Sequence, residues 1–176
     1  LASALGDFMH LSGKTLLYSG LLHDVGKSQT RLATLQKQDG WTEADTKEIE
    51  AHVMDGVRLL RDHFDFSAEV IAWHHRFQPN MYPENLPPPL HIYSMGTKVM
   101  IPFFGRVVSL ADVFDALHRV NSKHGAEQIT GEGIKEKMLK YNPDQRVLIN
   151  QAYDAGIFTT RLIEPVLVTP VAVAIA

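Results

Sequence analysis

Apolar residues recur three and four positions apart through most of the chain, the spacing that lines one face of a helix, and period-two alternation is confined to the C-terminal tail. The pattern predicts an all-α protein. A first helix is expected up to about Phe8, a second from Lys14 to about Val25, and a long amphipathic one from Thr42 through roughly Asp62. Thr42, followed by Asp45, offers that third helix a capping start. Ser67 is placed to cap the next helix, which carries Val70, Ile71, Trp73 and His74, and residues 78–89 hold five prolines and read as a loop. A further helix is expected from near Thr97 or Gly105 to His118, with Pro102 blurring its start. After a break over residues 125–133, one more covers 134–140, and Pro143 behind Asn142 opens a last one that includes Val147, Leu148 and Tyr153. The apolar run 166–176 is interrupted by Pro170 and falls short of the roughly 18–20 residues that span a bilayer, so a buried strand or a packed extended tail is expected there.

A length of 176 residues suits one compact domain, and the reading takes 1–176 as a single domain. The chain opens in what reads as mid-helix, without an initiator Met or a signal-peptide pattern, so it is expected to be a fragment or the C-terminal part of a longer chain, and cytoplasmic. With 17 basic and 20 acidic side chains, the net charge of −3 is too small and too mixed to hold a nucleic-acid polymer or an anionic membrane. Cysteine is absent, which removes disulfides, thiolate metal sites and cysteine nucleophiles together. Any strong metal site must then be built from the nine histidines and the carboxylates.

The most informative stretch is Leu21-Leu22-His23-Asp24-Val25-Gly26-Lys27, an apolar helix that runs straight into an adjacent imidazole and carboxylate. Burying that pair is costly unless something satisfies both, and a divalent metal does so while keeping Asp24 ionised. Simple capping of the helix C-terminus is the plainer reading, but an Asp is disfavoured at the negative end of the helix dipole. Glu48 and His52 stand four apart on the long helix, a spacing that usually marks a solvated face. His52 gains weight from its place in a series: His74 and His75 end another apolar helix, and Asp112 lies inside Val107-Val108-Ser109-Leu110-Ala111-Asp112-Val113-Phe114. Several helices thus each bring one or two metal-type ligands to positions flanked by core residues, which is how a helical bundle assembles a multi-metal site. His10, His63, His91, His118 and His124 read as bystanders.

At these positions the chain resembles the HD-domain metal-dependent phosphohydrolases, and among them the HD-GYP cyclic-dinucleotide phosphodiesterases. Leu22-His23-Asp24-Val25-Gly26-Lys27 is similar to the group's signature, His52 with Gly56 to its His-x-x-x-Gly element, His74-His75 to its double histidine, and Ala111 to Leu117 to its closing Asp segment. The chain departs from the group after the double histidine, where Glu-Arg and an Asp-Gly-x-Gly-Tyr-Pro run are replaced by Arg76-Phe77-Gln78-Pro79-Asn80-Met81-Tyr82-Pro83. Only Tyr82-Pro83 is kept, and the lost glycines forbid the same loop shape. The family's first ligands belong on a helix further ahead of His23 than this chain extends, and His10 falls in a connection; either a ligand lies upstream of Leu1 or the site is a reduced one.

The resemblance implies an HD-type helical bundle holding two or three divalent transition metals, Fe, Mn, Zn or Ni, on His23, Asp24, His52, His74, His75 and Asp112. It implies Asp24 as the bridge between metals, a metal-bridging hydroxide as nucleophile, Lys27 as a catalytic phosphate contact and Arg76 as a second one. His74 and His75 are about 100° apart on a regular helix, so both can serve only if they address different metals or the helix unwinds there. The implied reaction is hydrolysis of a cyclic dinucleotide of the cyclic di-GMP kind in bacterial signalling. A nucleotide or small phosphate ester as substrate, and a degenerate, non-catalytic signalling or binding module, stay open beside it. A homodimer and an upstream sensor domain are the further partners left open.

Overall fold

A computed structural model of the chain describes residues 1–118 and 131–159, and every described element is helical. In chain order these are α1 (Ala2–Phe8), α2 (Gly13–Leu22), a 3-10 turn (Val25–Gln29), α3 (Leu32–Leu35), α4 (Glu43–Glu50), α5 (His52–Leu60), α6 (Asp65–Ile71), α7 (Met95–His118) and α8 (Gly131–Tyr141). A second 3-10 turn (Pro143–Gln145) and α9 (Arg146–Asp154) complete it. The all-α reading holds, and among the described residues no helix is long and apolar enough to cross a membrane. The expectations for 125–130, His124 and the tail 166–176 lie outside the described residues.

The 24-residue α7 is the spine. Its Val107, Val108, Leu110 and Phe114 join Leu5 of α1, Leu16 of α2, Val70 of α6, Met138 of α8 and Ile149 of α9 in the main apolar core. A smaller core forms where Val57 and Leu60 of α5 meet Ala68 and Ile71 of α6. α7 begins at Met95 and runs through Pro102 without ending. A proline inside a helix costs roughly 3 kcal/mol, and burial of Ile101, Phe104, Val107 and Val108 around it outweighs that sum. At Gly105 the spine meets the end of α6 so closely that a Cβ would lie 2.4 Å from the Cβ of Trp73 and 3.0 Å from the Val70 carbonyl oxygen. Only glycine lets the two backbones approach this far, and the approach carries the chain at His74 toward α7.

Three boundaries differ from the periodicity. α2 stops at Leu22 rather than Val25, because His23 and Asp24 turn the chain into a 3-10 turn. The expected 42–62 helix begins as read, with Thr42 and Asp45 exchanging side-chain and backbone hydrogen bonds in a capping box, but it divides at Ala51 into α4 and α5. Ser67 is not a cap: α6 starts two residues earlier, and Ser67 lies buried within it, accepting from the Ser19 hydroxyl at 3.4 Å. Asn142 and Pro143 do open a helical turn, though it is a 3-10 turn that hands over to α9. Arg106, which periodicity hides among apolar neighbours, ties the spine to that turn: its guanidinium donates to Asp144 at 2.6 and 3.1 Å and to Asn142 at 2.9 Å.

Candidate metal centre

Three of the histidines stand just beyond a helix end, and each uses the same device. His23 follows α2 and holds the Gly20 carbonyl through Nδ1 at 2.7 Å; His52 follows α4 and holds Ile49 at 2.5 Å; His74 lies past α6 and holds Ile71 at 2.5 Å. The last carbonyls of a helix have no intrahelical partner, so a ring N–H three residues on satisfies one. A carbonyl can only accept, so Nδ1 carries a proton in all three rings, and whenever the ring is neutral Nε2 is left as a lone pair. The capping role and the functional role of His23 are therefore carried by different nitrogens of one ring.

These Nε2 atoms converge on the carboxylates. Nε2 of His52 lies 3.3 Å from Oδ1 of Asp24 and 3.4 Å from Nε2 of His74. Nε2 of His23 lies 3.5 Å from Oδ2 of Asp24 and 3.4 Å from Oδ1 of Asp112. Two donor groups result, Asp24 with His52, His74 and His75, and Asp24 with His23 and Asp112, each drawn within 4.8 Å. Asp24 belongs to both.

His74 and His75 join the same group because α6 has ended at Ile71, and the chain continues through them in tight turns, with His74 N–H donating to the Ile71 carbonyl and Arg76 N–H to that of Trp73. The unwinding needed for both rings to serve one site is what the structure contains. Asp24 reaches His52 because Gly26 lets the 3-10 turn lie directly on α5: a Cβ there would stand 1.8 Å from the His52 carbonyl oxygen and 2.5 Å from the Gly56 nitrogen.

The donor chemistry fits a cation. Nε2 of His52 and of His74 are both acceptors facing one another with no proton between them, and Asp24 Oδ1 and His23 Nε2 are buried without a hydrogen-bond partner. Buried acceptors pointed at one another are costly unless a positive charge lies among them. Nitrogen and oxygen donors with no sulfur suit a divalent first-row ion. The electrostatics agree. Burial opposes the charge on Asp24, yet His23 and Lys27 outweigh it and hold its carboxyl down at about 2. Burial pushes His52 below its ordinary value and, reinforced by His75, His74 well below it; burial with the neighbouring His52 ring, beside which a second positive charge is disfavoured, takes His75 to about 3. These three rings are neutral, as ligands must be. His23 moves up instead: burial pulls it down, but Asp112 and Asp24 prevail. Burial opposes the Asp112 carboxylate, and His23 holds it in its charged form.

Around this centre, Lys27 donates to Asp24 Oδ2 at 2.5 Å with its side chain one-third exposed. Arg76, expected as a second phosphate contact, donates through Nη1 to the carbonyls of Pro83 at 2.5 Å and Glu84 at 2.7 Å and so anchors the loop. Glu48 lies apart from the cluster and takes Arg31 and Thr34 as partners. His10 is exposed in the turn after α1, His63 is exposed, and His91 pairs with Asp65 at 2.6 Å. His118 caps its own helix through Phe114 at 2.7 Å. Sequence reasoning gave no role to the Tyr82 ring, which stacks on His75 with centroids 4.4 Å apart and planes at 26°. The signal that could have found it was the retained Tyr82-Pro83 pair inside an otherwise altered loop.

The family model described as HD domain matches residues 1–117, two-thirds of the chain and every residue of both donor groups. The chain belongs to the HD-domain family. Two curated relatives of this HD domain come from Vibrio cholerae serotype O1. The 3'3'-cGAMP-specific phosphodiesterase 1 is 30% identical over 117 residues, covering 64% of this chain and 25% of that protein. The 3'3'-cGAMP-specific phosphodiesterase 2 is 30% identical over 144 residues, covering 77% of this chain and 26% of its own. The HD-domain chain thus spans about a quarter of the length of the curated relatives it matches.

Proposed function

We propose that the chain is the catalytic domain of a metal-dependent phosphodiesterase that hydrolyses a cyclic dinucleotide in bacterial signalling, a single domain over 1–176 working in the cytoplasm within a longer protein. The observation that carries this reading is the sharing of Asp24 between two donor groups, which is the layout of a two-metal phosphoryl-transfer site. The names of the two relatives support the substrate class. His52, His74 and His75 would hold one divalent ion with Asp24, and His23 and Asp112 a second. When bound, such ions supply Lewis acidity, which acidifies a water and offsets charge on phosphoryl oxygens.

The protein's own part is orientation and charge. The helix-end carbonyls hold His23, His52 and His74 with lone pairs inward, and Asp24 stays ionised between them. Lys27 keeps its ammonium beside Asp24 and open to solvent, where it can take a phosphate oxygen as a point charge. Arg76 holds the loop through Nη1 and stays the proposed second phosphate contact. A homodimer and an upstream sensor domain complete the proposed assembly.

The test is anaerobic purification, elemental analysis, and incubation with 3'3'-cGAMP, cyclic di-GMP and a set of nucleoside monophosphates. At least two metal ions per chain and cleavage of a cyclic dinucleotide are expected. Protein that takes up no transition metal after anaerobic reconstitution would refute the reading. Protein that takes up metal but cleaves only the monophosphates would move the substrate to a small phosphate ester, and cleavage of none would make it a binding module.

A further inference from the structure

Every histidine of the first donor group except one has its ring fixed by a hydrogen bond from Nδ1. The exception is His75, whose Nδ1 is buried with no hydrogen-bond partner. A ring that must present one nitrogen to a shared point needs its second torsion fixed, and outer partners normally do this by hydrogen bonding. In His75 the contact is a stack: Tyr82 lies over the imidazole at 4.4 Å, nearly parallel, and meets His52 edge-on at 6.0 Å. Tyr82 comes from the loop after α6 rather than from a helix, so it needs its own anchor. That anchor is Arg76, the residue next to His75, whose Nη1 holds the carbonyls of Pro83 and Glu84 immediately after Tyr82.

We propose that Arg76 and Tyr82 form a latch that positions His75: the guanidinium fixes the loop backbone at 83–84, and the loop lays the Tyr82 ring on the imidazole so that it faces Asp24, His52 and His74. In this role Tyr82 and Arg76 are positioning residues, and neither is asked to touch metal or substrate. The role belongs to the ring face of Tyr82 and not to its hydroxyl. The latch accounts for how a loop without the resembled group's glycines and acidic residue still closes on the centre. It rests on the reading of His75 as a metal ligand.

The experiment compares wild type, Tyr82→Phe, Tyr82→Ala, Arg76→Ala and the double variant as full-length chains, with thermal unfolding confirming the fold. Two readouts are taken: the His75 ring proton shifts by NMR in metal-free protein, and titration with Co2+ followed by its visible d–d absorption. In Tyr82→Phe the His75 ring-current shift, the Co2+ affinity and the spectrum should stay at wild type, affinity within about twofold. In Tyr82→Ala the ring-current shift should vanish, the affinity fall about 10- to 100-fold and the d–d band change, since loss of an outer partner has effects of that size. Arg76→Ala should move both readouts the same way, and adding it to Tyr82→Ala should cost less than a further twofold, as members of one device are not additive. Wild-type affinity and spectrum in Tyr82→Ala, or an equal loss in Tyr82→Phe, would overturn the latch. If wild type takes up no Co2+, the metal reading fails, and the ring-current comparison still decides whether Arg76 and Tyr82 hold His75.

Discussion

A single methyl group at Gly26 should separate the metal centre while leaving the helical core standing. In Gly26→Ala the new Cβ would be placed 1.8 Å from the His52 carbonyl oxygen and 2.5 Å from the backbone nitrogen of Gly56. Both neighbours are backbone atoms of α5, so no side chain can swing aside. Restoring an ordinary carbon–oxygen contact requires the 3-10 turn and α5 to part by about 1.5 Å. Asp24 sits two residues before the glycine, and its Oδ1 is now 3.3 Å from Nε2 of His52. Ligands to a shared ion must each come within about 2.0–2.3 Å of it, so an opening of that size leaves one of them out of reach. The strain of overpacking should cost roughly 1–3 kcal/mol of stability. Metal affinity, which depends on the geometry itself, should fall by about two orders of magnitude or more, with hydrolysis. The assay is metal content per chain after gel filtration, beside urea unfolding of the same preparation. A folded Gly26→Ala protein with the wild-type complement of metal and unchanged activity would show that the close approach does not position Asp24.

Asp24→Ala should empty both donor groups and abolish hydrolysis, whereas Asp112→Asn should lower metal content by one ion and leave the His52–His74 side loaded; elemental analysis separates the two, and equal losses would contradict the sharing of Asp24. In metal-stripped protein, His52, His74 and His75 have folded values below the unfolded value of about 6.5, so their contribution to stability is complete above that pH and is lost as pH falls toward the folded values, about 3 for His75. Each of these histidines can add at most about 1.4 kcal/mol per pH unit, while His23, raised in the fold, works in the opposite sense, its contribution complete below about 6.5 and lost as pH rises through its folded value. Urea midpoints should therefore drop steadily from pH 6.5 to pH 5, and a flat profile would contradict the buried neutral rings. Away from the centre, Asp144→Ala should destabilise by about 1 kcal/mol in thermal or urea unfolding: Arg106 is 4% exposed, but Asp144 is 55% exposed, so the pair is partly screened, and the guanidinium keeps Asn142. Adding Arg106→Met should recover much of that loss, and a double variant as unstable as the single one would refute the assignment.

The sequence disclosed some of this and hid the rest, according to how each residue acts. The helices around Leu16, Val70 and Leu110 were legible because their burial is periodic, and His23, Asp24, His52, His74, His75 and Asp112 because polar residues stood where that period demands apolar ones. The division at Ala51 was not legible, since nothing in the period from Glu48 to Val57 is interrupted; the break becomes evident only when the His52 ring is seen holding the Ile49 carbonyl. The loop contacts of Arg76 were not legible, since its Nη1 partners are backbone carbonyls of a loop whose path periodicity does not encode. Arg106 was missed for the complementary reason. Its carboxylate partner is 38 residues away, across a tertiary contact.

The three Nδ1 caps carry a consequence for how the centre comes into being. In an unfolded chain an imidazole exchanges its proton freely between two nitrogens, and the wrong tautomer would turn a donor toward the ion. Here each of three rings has that choice made by the nearest helix terminus, within three residues along the chain. The same turns that end α2, α4 and α6 thus fix the tautomer of each ring. Lengthening one of those helices by a single residue would keep the local cap but turn its histidine about 100° away from the other ligands, so insertions at these helix ends should be tolerated far less well than insertions in the loops between them.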